Sequence, residues 1–448
     1  MDLKRKAYNE LLKWKNSNSK SKAILIKGAR RVGKSYLAEH FARNEYRSYI
    51  LIDFASPLKG TKKIFEEYGN KNLLNHFFNQ LSVLYGKPLY ERNSVFVFDE
   101  VQKYPKAREL IKYLIEDGRY DFIETGSLIS IKKNVKDIII PSEEDELLLY
   151  PLDFEEFLLA QGDTVTVPFL KEAFLARKPL DSLLKPVMIK LRNYMLVGGM
   201  PQAVLEYVDS GNVDRIEKVK RGIIRLYTED IAKYADNYVA EATAVFRAIP
   251  EQLSHHDKKI KYSSLESGDR FSDYREALFW IADSMVGNLS LGTDEPAVFG
   301  EFVIQPSKVK CYMGDTGLLL TMAAGKNYLQ SELYKSFMMG KLSVNQGMLT
   351  ENLIAQMLTA GQHPLRFYEK RVEESDKIRK YEIDFLITQG EKTIPVEVKS
   401  GSSRNHPSLD FYTYRYKRQT GEAIILTKGD LRMTDAYTFL PLPMAMFL

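Results

Sequence analysis

The chain has 448 residues, 44% hydrophobic and 27% charged, the mix of a globular protein, and at about 150 residues per domain it has room for roughly three domains. Its net charge of +5 lies wholly in residues 1–22, where seven basic side chains face two acidic ones; 64 less 7 basic and 59 less 2 acidic leave 57 of each sign beyond. A uniformly basic nucleic-acid coat is excluded, while a local basic patch is not. The single cysteine, Cys311, allows neither an internal disulfide nor a multi-cysteine zinc site, and no two of the six histidines stand at His-x-x-x-His spacing. With no run of about 18 apolar residues and no apolar stretch after the basic start, no membrane partner and a cytoplasmic location are expected.

Leu3, Ala7, Leu11 and Trp14 lie at helical spacing and predict an amphipathic helix, followed by a polar link from Asn16 to Lys22. Apolar runs at Ala23–Ile26, Ser48–Phe54, Val95–Phe98, Asp121–Ile123 and Leu147–Tyr150 alternate with helical patterns. That alternation predicts a parallel sheet covered on both faces. The acidic run Glu143–Glu146 reads as a solvated loop before the last of these strands. From 165 to 235 the pattern is helical, broken at Gly198-Gly199-Met200-Pro201.

Gly28-Ala29-Arg30-Arg31-Val32-Gly33-Lys34-Ser35 fits G-x-x-x-x-G-K-[ST], with an apolar strand before it and a helix from Tyr36 after it. Glycines let successive N–H groups curl around one anion, and the helix N-terminus adds partial positive charge. Gly28 through Tyr36 is therefore the expected ATP-binding set, with Lys34 on the β- and γ-phosphates and Ser35 a ligand of Mg²⁺. Val95-Phe96-Val97-Phe98 ends in Asp99-Glu100, and charge at the end of a buried strand needs a purpose. Asp99 is expected to hold Mg²⁺ through water and Glu100 to polarise the attacking water. The next strand ends in Thr125-Gly126-Ser127; Thr125 first and Ser127 second are candidates to sense the γ-phosphate, and both are equally ordinary turn residues.

The chain resembles prokaryotic AAA-type ATPases that carry a C-terminal nuclease-like domain. The stretches that carry the resemblance are GARRVGKS, FDEVQKYP, TGS, YPLDFEEFL, GGMPQAV, GDTGLL, ENLIAQML and EIDFLI with VEVKSG. It implies an α/β multidomain fold: a P-loop AAA-type core over 1–165, a helical lid over 166–235, a winged helix over 236–325 and a restriction-endonuclease-like domain over 326–448. Glu124 departs from the pattern, an acid where an apolar residue is expected.

Residues 381–387 and 393–399 flank a short turn at Gln389-Gly390-Glu391, as a hairpin does. Glu397 and Lys399 share a strand face, Asp384 lies on the partner strand, and Glu351 opens a helix. Glu351, Asp384 and Glu397 as metal ligands with Lys399 as catalytic lysine form the D…E-x-K set of metal-dependent phosphodiester hydrolysis. The same Glu-x-Lys spacing is equally that of a surface salt bridge. Arg404, Arg415, Lys417 and Arg418, interleaved with Tyr412, Tyr414 and Tyr416, could track DNA or RNA, or be a solvated helix face over core tyrosines. In the middle segment, Ala244–Leu253, Tyr262–Glu266 and Ser272–Met285 read as helices, with Val298–Val303 and Val309–Tyr312 as a wing. Asp273 and Glu276 on the presumptive recognition helix oppose a phosphate backbone.

Two functions follow as expectations. One is an Mg²⁺-dependent ATPase coupled to a nuclease acting on DNA or RNA. The other is an ATP-gated switch or scaffold with a silent nuclease fold and a homo-oligomeric or protein partner. The leading basic helix is expected to stand outside every site.

Overall fold

The structure is a computed structural model that describes residues 3–127, 141–255, 257–265, 270–297, 300–325, 346–374, 377–399 and 405–448. The chain divides into two compact units, one running to Tyr150 with Asp283–Met285 added, the other Pro151–Ala282 with Val286–Leu448.

The first unit contains the expected parallel sheet. Strands β1 (Ala23–Lys27), β2 (Ser48–Asp53), β3 (Ser94–Asp99), β4 (Asp121–Gly126) and β5 (Glu144–Leu148) run in the order β2-β3-β4-β1-β5. All neighbouring pairs are parallel. Helices α1 (Ala7–Ser17), α2 (Lys34–Glu45), α3 (Thr61–Tyr68), α4 (Leu74–Tyr85) and α5 (Pro105–Asp117) accompany it. Strands β3 and β4 are buried at every position; the near-continuous apolar run of β3 belongs between two helical layers, while β4 also buries Asp121, Glu124 and Thr125. One face packs on an aromatic core in which Phe54, Phe65, Phe77, Phe78, Phe96, Phe98 and Phe122 join residues of α3, α4 and α5. Parallel strands deliver their C-terminal ends, and the residues there, to one edge of the sheet.

The acidic run is not a loop. Glu144 begins β5 and its side chain is only 4% exposed, because Arg108 of α5 grips it with paired hydrogen bonds of 2.7–3.1 Å. Strand β5 therefore starts earlier than apolar content alone indicates.

In the second unit come α6 (Phe154–Ala160), α7 (Thr166–Ala176), α8 (Leu184–Val197), α9 (Pro201–Ser210), α10 (Val213–Tyr234), α11 (Val239–Ser254), α12 (Tyr262–Leu265) and α13 (Phe271–Asp283). A capping box between Asp153 and Glu156 starts α6. The glycine pair after α8 is built into a junction. Gly198 has φ +80°, and a Cβ on Gly199 would lie 2.0 Å from the Leu152 carbonyl oxygen. Asp315 caps α14 (Thr316–Ala324) and also accepts the Gly199 N–H at 2.5 Å. YPLDFEEFL, GGMPQAV and GDTGLL thus meet at one packed corner.

Strands β6 (Gly287–Thr293) and β7 (Gln305–Met313) pair antiparallel and continue into β8 (Arg366–Glu374) and β9 (Lys377–Ile383), in the order β7-β6-β8-β9. Of the expected wing over 298–303, Val298 and Phe299 lie outside the described residues, and Glu301 makes an isolated bridge. The pairing partner of 309–312 is instead 287–293, where Leu289 and Leu291 alternate with polar residues. Helix α15 (Gln346–Ala360) precedes a second sheet of β10 (Phe385–Gln389), β11 (Lys392–Lys399), β12 (Ile424–Thr427), β13 (Arg432–Met433) and β14 (Thr438–Pro441), ordered β10-β11-β12-β14-β13. The β10–β11 hairpin turns at Gly390, whose φ is +58°. Helix α16 (Pro407–Arg415) lies between β11 and β12 in the chain. Among the described residues no helix is long and apolar enough to cross a membrane.

Candidate functional site

The glycine-rich loop joins β1 to α2 at the C-terminal edge of the parallel sheet. Gly33 takes φ +95° as the cap of α2, and a Cβ on Gly28 would lie 2.4 Å from the Leu149 carbonyl oxygen, so neither position accepts a side chain without strain. Lys34 is 5% exposed and donates at 3.0 Å to the carbonyls of Gly28 and Ala29. Its ammonium is thereby held inside the loop that would wrap a phosphate. Arg30 and Arg31 are exposed, Ala29 and Val32 are buried, and the ring of Tyr36 stacks on His40 with centroids 5.7 Å apart. The leading segment does touch this site. Arg5 donates to the Val32 carbonyl at 2.9 Å and to the Tyr150 carbonyl at 2.6 Å, bracing the loop.

Asp99 closes the site from β3. Ser35 Oγ donates to Asp99 Oδ1 at 2.7 Å, and Thr125, from β4, donates to the same oxygen. Burial raises the Asp99 pKa above the ordinary carboxylate value; the two hydroxyls oppose that, while Glu100 and Asp53 add repulsion. A desolvated carboxylate beside a hydroxyl oxygen, with a further acid nearby, suits a hard oxygen-seeking cation. Ser35 and Asp99 therefore fit Mg²⁺. Glu100 follows in the left-handed region at φ 56°, an uncommon place for a non-glycine residue and a form of strain often kept at working sites. Its N–H donates to Thr125 Oγ1 at 3.3 Å, and its carboxylate accepts from Gln102 Nε2 at 2.5 Å. Gln102 also reaches Ser127 Oγ at 3.5 Å. Gln102 had no sequence signal beyond standing two residues after Glu100.

Glu124 has a structural account. Its carboxyl is fully buried one position before Thr125 and faces Glu144. Burial, then the Glu144 charge, push its pKa well above the usual range against the pull of Arg108. Burial thus favours the protonated form of Glu124, beside the carboxylate that Arg108 holds.

In the second unit, Glu351 of α15 and Asp384, between β9 and β10, are brought into one electrostatic cluster. Lys258 and Lys310 enter it as well. Glu351 accepts from Tyr312 and Lys258, and Lys310 Nζ lies 3.4 Å from its other carboxylate oxygen. Burial works against the Glu351 charge, yet Lys310 and Lys258 bring its pKa down to about 2. Burial and the neighbouring Glu351 instead push Asp384 up to about 6. Asp384 Oδ2 accepts the Val398 N–H at 2.8 Å, between Glu397 and Lys399 in the chain. Glu397 and Lys399 pair with each other, and His406 Nδ1 stands 3.9 Å from the second Glu397 oxygen. Lys258, Lys310 and His406 were not legible as site residues, since the pairing of Lys258 with Glu351 spans 93 positions. Of the presumptive nucleic-acid patch, Arg415, Lys417, Arg418 and Tyr414 are exposed, Tyr412 is core, and Arg404 lies outside the described residues.

With this geometry in place, residues 20–158 match a family profile described as an AAA domain. The match to this AAA domain profile falls almost wholly within the first unit. Two further profiles, each a domain of unknown function, match residues 188–328 (DUF8612) and 346–445 (DUF4143). No curated protein matches the chain. Among solved structures, the Walker-type ATPase PABY2304 of Pyrococcus abyssi is similar at 17% identity, with 72% of this chain and 96% of that one covered and a TM-score of 0.41. The Aeropyrum pernix ORC2 protein, in ADPNP–ADP complexes, gives 12% identity, 76% and 95% coverage and a TM-score of 0.37. Within the matched segment, Lys34 and Ser35 at the start of α2, Asp99 and Glu100 at the end of β3 and Thr125 on β4 come together, with hydrogen bonds joining Ser35, Asp99, Thr125 and Glu100.

Proposed function

We propose that the protein is an Mg²⁺-dependent ATP hydrolase whose nucleotide cycle acts on its C-terminal unit as a switch or scaffold. The observation that carries this reading is the convergence of Ser35 and Thr125 on one oxygen of Asp99. When bound at Ser35 and Asp99, Mg²⁺ would supply neutralisation of the β- and γ-phosphate oxygens. Lys34 leaves the Gly28 and Ala29 carbonyls to meet the phosphates, and the loop N–H groups close around them. Glu100, held by Gln102 at 2.5 Å, orients and polarises the attacking water. Thr125, bonded to both Asp99 and the Glu100 N–H, ties the metal-holding acid to the water-orienting one. The test is ATP binding and hydrolysis by wild type and Lys34→Ala; tight MgATP binding by the variant would defeat the assignment.

A second reading couples the cycle to a nuclease-like domain over 326–448 acting on DNA or RNA. The bond from the Val398 N–H to Asp384, beside Glu397 and Lys399, favours it. Incubating the full chain with DNA and RNA in Mg²⁺ or Mn²⁺, with and without ATP, tests it, with Lys399→Ala as control. Absence of cleavage under every nucleotide condition would remove this reading. The domain divisions 166–235 and 236–325 and a cytoplasmic location belong to the same proposal, as does an oligomeric or protein partner.

A further inference from the structure

The acidic cluster around Glu351, Glu369 and Glu382 is already filled with lysines. Asp257, Glu369 and Glu382 bring ligand oxygens within 4.8 Å of one another, the arrangement of a cation site. A cation already occupies it. Lys380 Nζ lies 2.8 Å from Asp257, 2.7 Å from Glu382 and 3.3 Å from Glu369. Three donors of one ammonium thus meet three acids. Beside this triad, Lys310 bridges Glu382 at 2.8 Å and Glu351 at 3.4 Å, with its side chain wholly buried. Lys258 takes the second oxygen of Glu351. To do so it adopts φ 49°, a left-handed conformation that costs about 1 kcal/mol or more for a residue with a side chain. Lys259 and Lys308 complete the set on Glu369 at 2.6 and 3.3 Å. Five acids, counting Asp384, therefore face five lysines.

A divalent ion entering this balanced cluster would have to expel an ammonium or strip its proton, and at the buried Glu351 and Glu369 either leaves a charge without its partner. The acids expected to hold a nuclease metal, Glu351 and Asp384, do not fit one while Lys258 and Lys310 are in place. We propose that Lys258, Lys310 and Lys380 are the resident cations of this acidic centre and close it to divalent metal. This rests on the reading of the C-terminal unit as a non-catalytic switch or scaffold, and gives the reason in atoms: lysine fills the positions that Mg²⁺ or Mn²⁺ would take.

The test is Mn²⁺ binding to the full chain without nucleotide, read by electron paramagnetic resonance in an Asp99→Asn background, where the nucleotide site contributes no metal. The expected result is no Mn²⁺ site that Glu351→Gln, Asp384→Asn or Glu369→Gln removes. Lys380→Met, whose side chain is 29% exposed, is expected to gain a site at least about tenfold tighter, and Glu369→Gln added to it to abolish that site. Lys258→Met, at 21% exposed, serves the same purpose toward Glu351 if the first variant does not fold. A site in the lysine-complete chain that Glu351→Gln or Glu369→Gln destroys overturns the proposal. So does a folded Lys380→Met with unchanged Mn²⁺ affinity. ATP binding, measured separately on Lys34→Ala, reports on the ATPase reading alone.

Discussion

Ser35 Oγ donates to Asp99 Oδ1 at 2.7 Å across 64 residues of sequence. The bond holds both groups side by side, where the proposed Mg²⁺ would sit between the start of α2 and the end of β3. Ser35→Ala leaves Asp99 buried with one hydroxyl fewer to stabilise its charge. ATP affinity in Mg²⁺ is expected to fall about tenfold or more, since a hydrogen bond to a charged group contributes about 1.5–3 kcal/mol. Titrating a fluorescent ATP analogue with and without Mg²⁺ checks this. The loss should be present only with the metal.

Glu100 and Thr125 offer a way to separate binding from the proposed hydrolysis. Glu100 makes no bond to Ser35 or Lys34 among the described residues; its partners are Gln102 and Thr125. Glu100→Gln is expected to keep ATP affinity and lose hydrolysis about 10²-fold or more, the usual contribution of a positioned general base. Gln102→Ala should give a smaller loss in the same direction, because it frees the Glu100 carboxylate from the Gln102 amide that holds it. Single-turnover hydrolysis, with affinity measured alongside, distinguishes the two. A Glu100→Gln enzyme with wild-type turnover would exclude the assigned role.

The buried acids Glu124 and Glu144 are expected to respond oppositely to amide substitution. Glu124 binds its proton more tightly folded than unfolded, so stability is fully present below the ordinary glutamate pKa. It declines as pH rises from there toward the raised folded value. Glu124→Gln removes that slope and is expected to hold or raise the melting temperature at pH 8. Glu144→Gln breaks the pair with Arg108, 2.7 Å apart and nearly unexposed, and should cost about 3–5 kcal/mol. Thermal melts across pH 5–9 test both, and a parallel decline of Glu124→Gln and wild type with pH would count against the neutral form.

These contacts show where sequence reading ends. The P-loop, Asp99-Glu100 and Thr125 were legible because each lies at the end of an apolar run, and parallel strands bring such ends to one edge. Glu144 was read as loop because four consecutive acids look solvated, and only Arg108, 36 positions away, explains its burial. The basic leader looked unconnected to any site for the same reason: the bonds from Arg5 to Val32 and Tyr150 are made across the fold. In the second unit, apolar alternation marked the β10–β11 hairpin correctly. The lysines that face Glu351 sit on separate segments with no spacing in common, so no motif announces them.

Two glycines of the second unit should give opposite results when replaced by alanine. Gly199 carries no spare volume, since its Cβ would sit 2.0 Å from the Leu152 carbonyl oxygen and 2.8 Å from the Leu152 nitrogen. Those are backbone atoms that cannot swing aside, and the Gly199 N–H is committed to Asp315. Gly199→Ala is expected to cost about 3 kcal/mol, at the upper end of overpacking, with loss of the Asp315 bond. Gly222 lies inside the 22-residue helix Val213–Tyr234, and among the described residues a Cβ there meets nothing within 4 Å. Gly222→Ala removes unfolded-state freedom and should stabilise by about 0.5–1 kcal/mol. Chemical denaturation with both variants and Asp315→Ala checks the pattern: Asp315→Ala should follow Gly199→Ala in direction, because it releases the same N–H and uncaps α14. A stable Gly199→Ala would mean that the corner where Leu152, Gly199 and Asp315 meet is not packed as described.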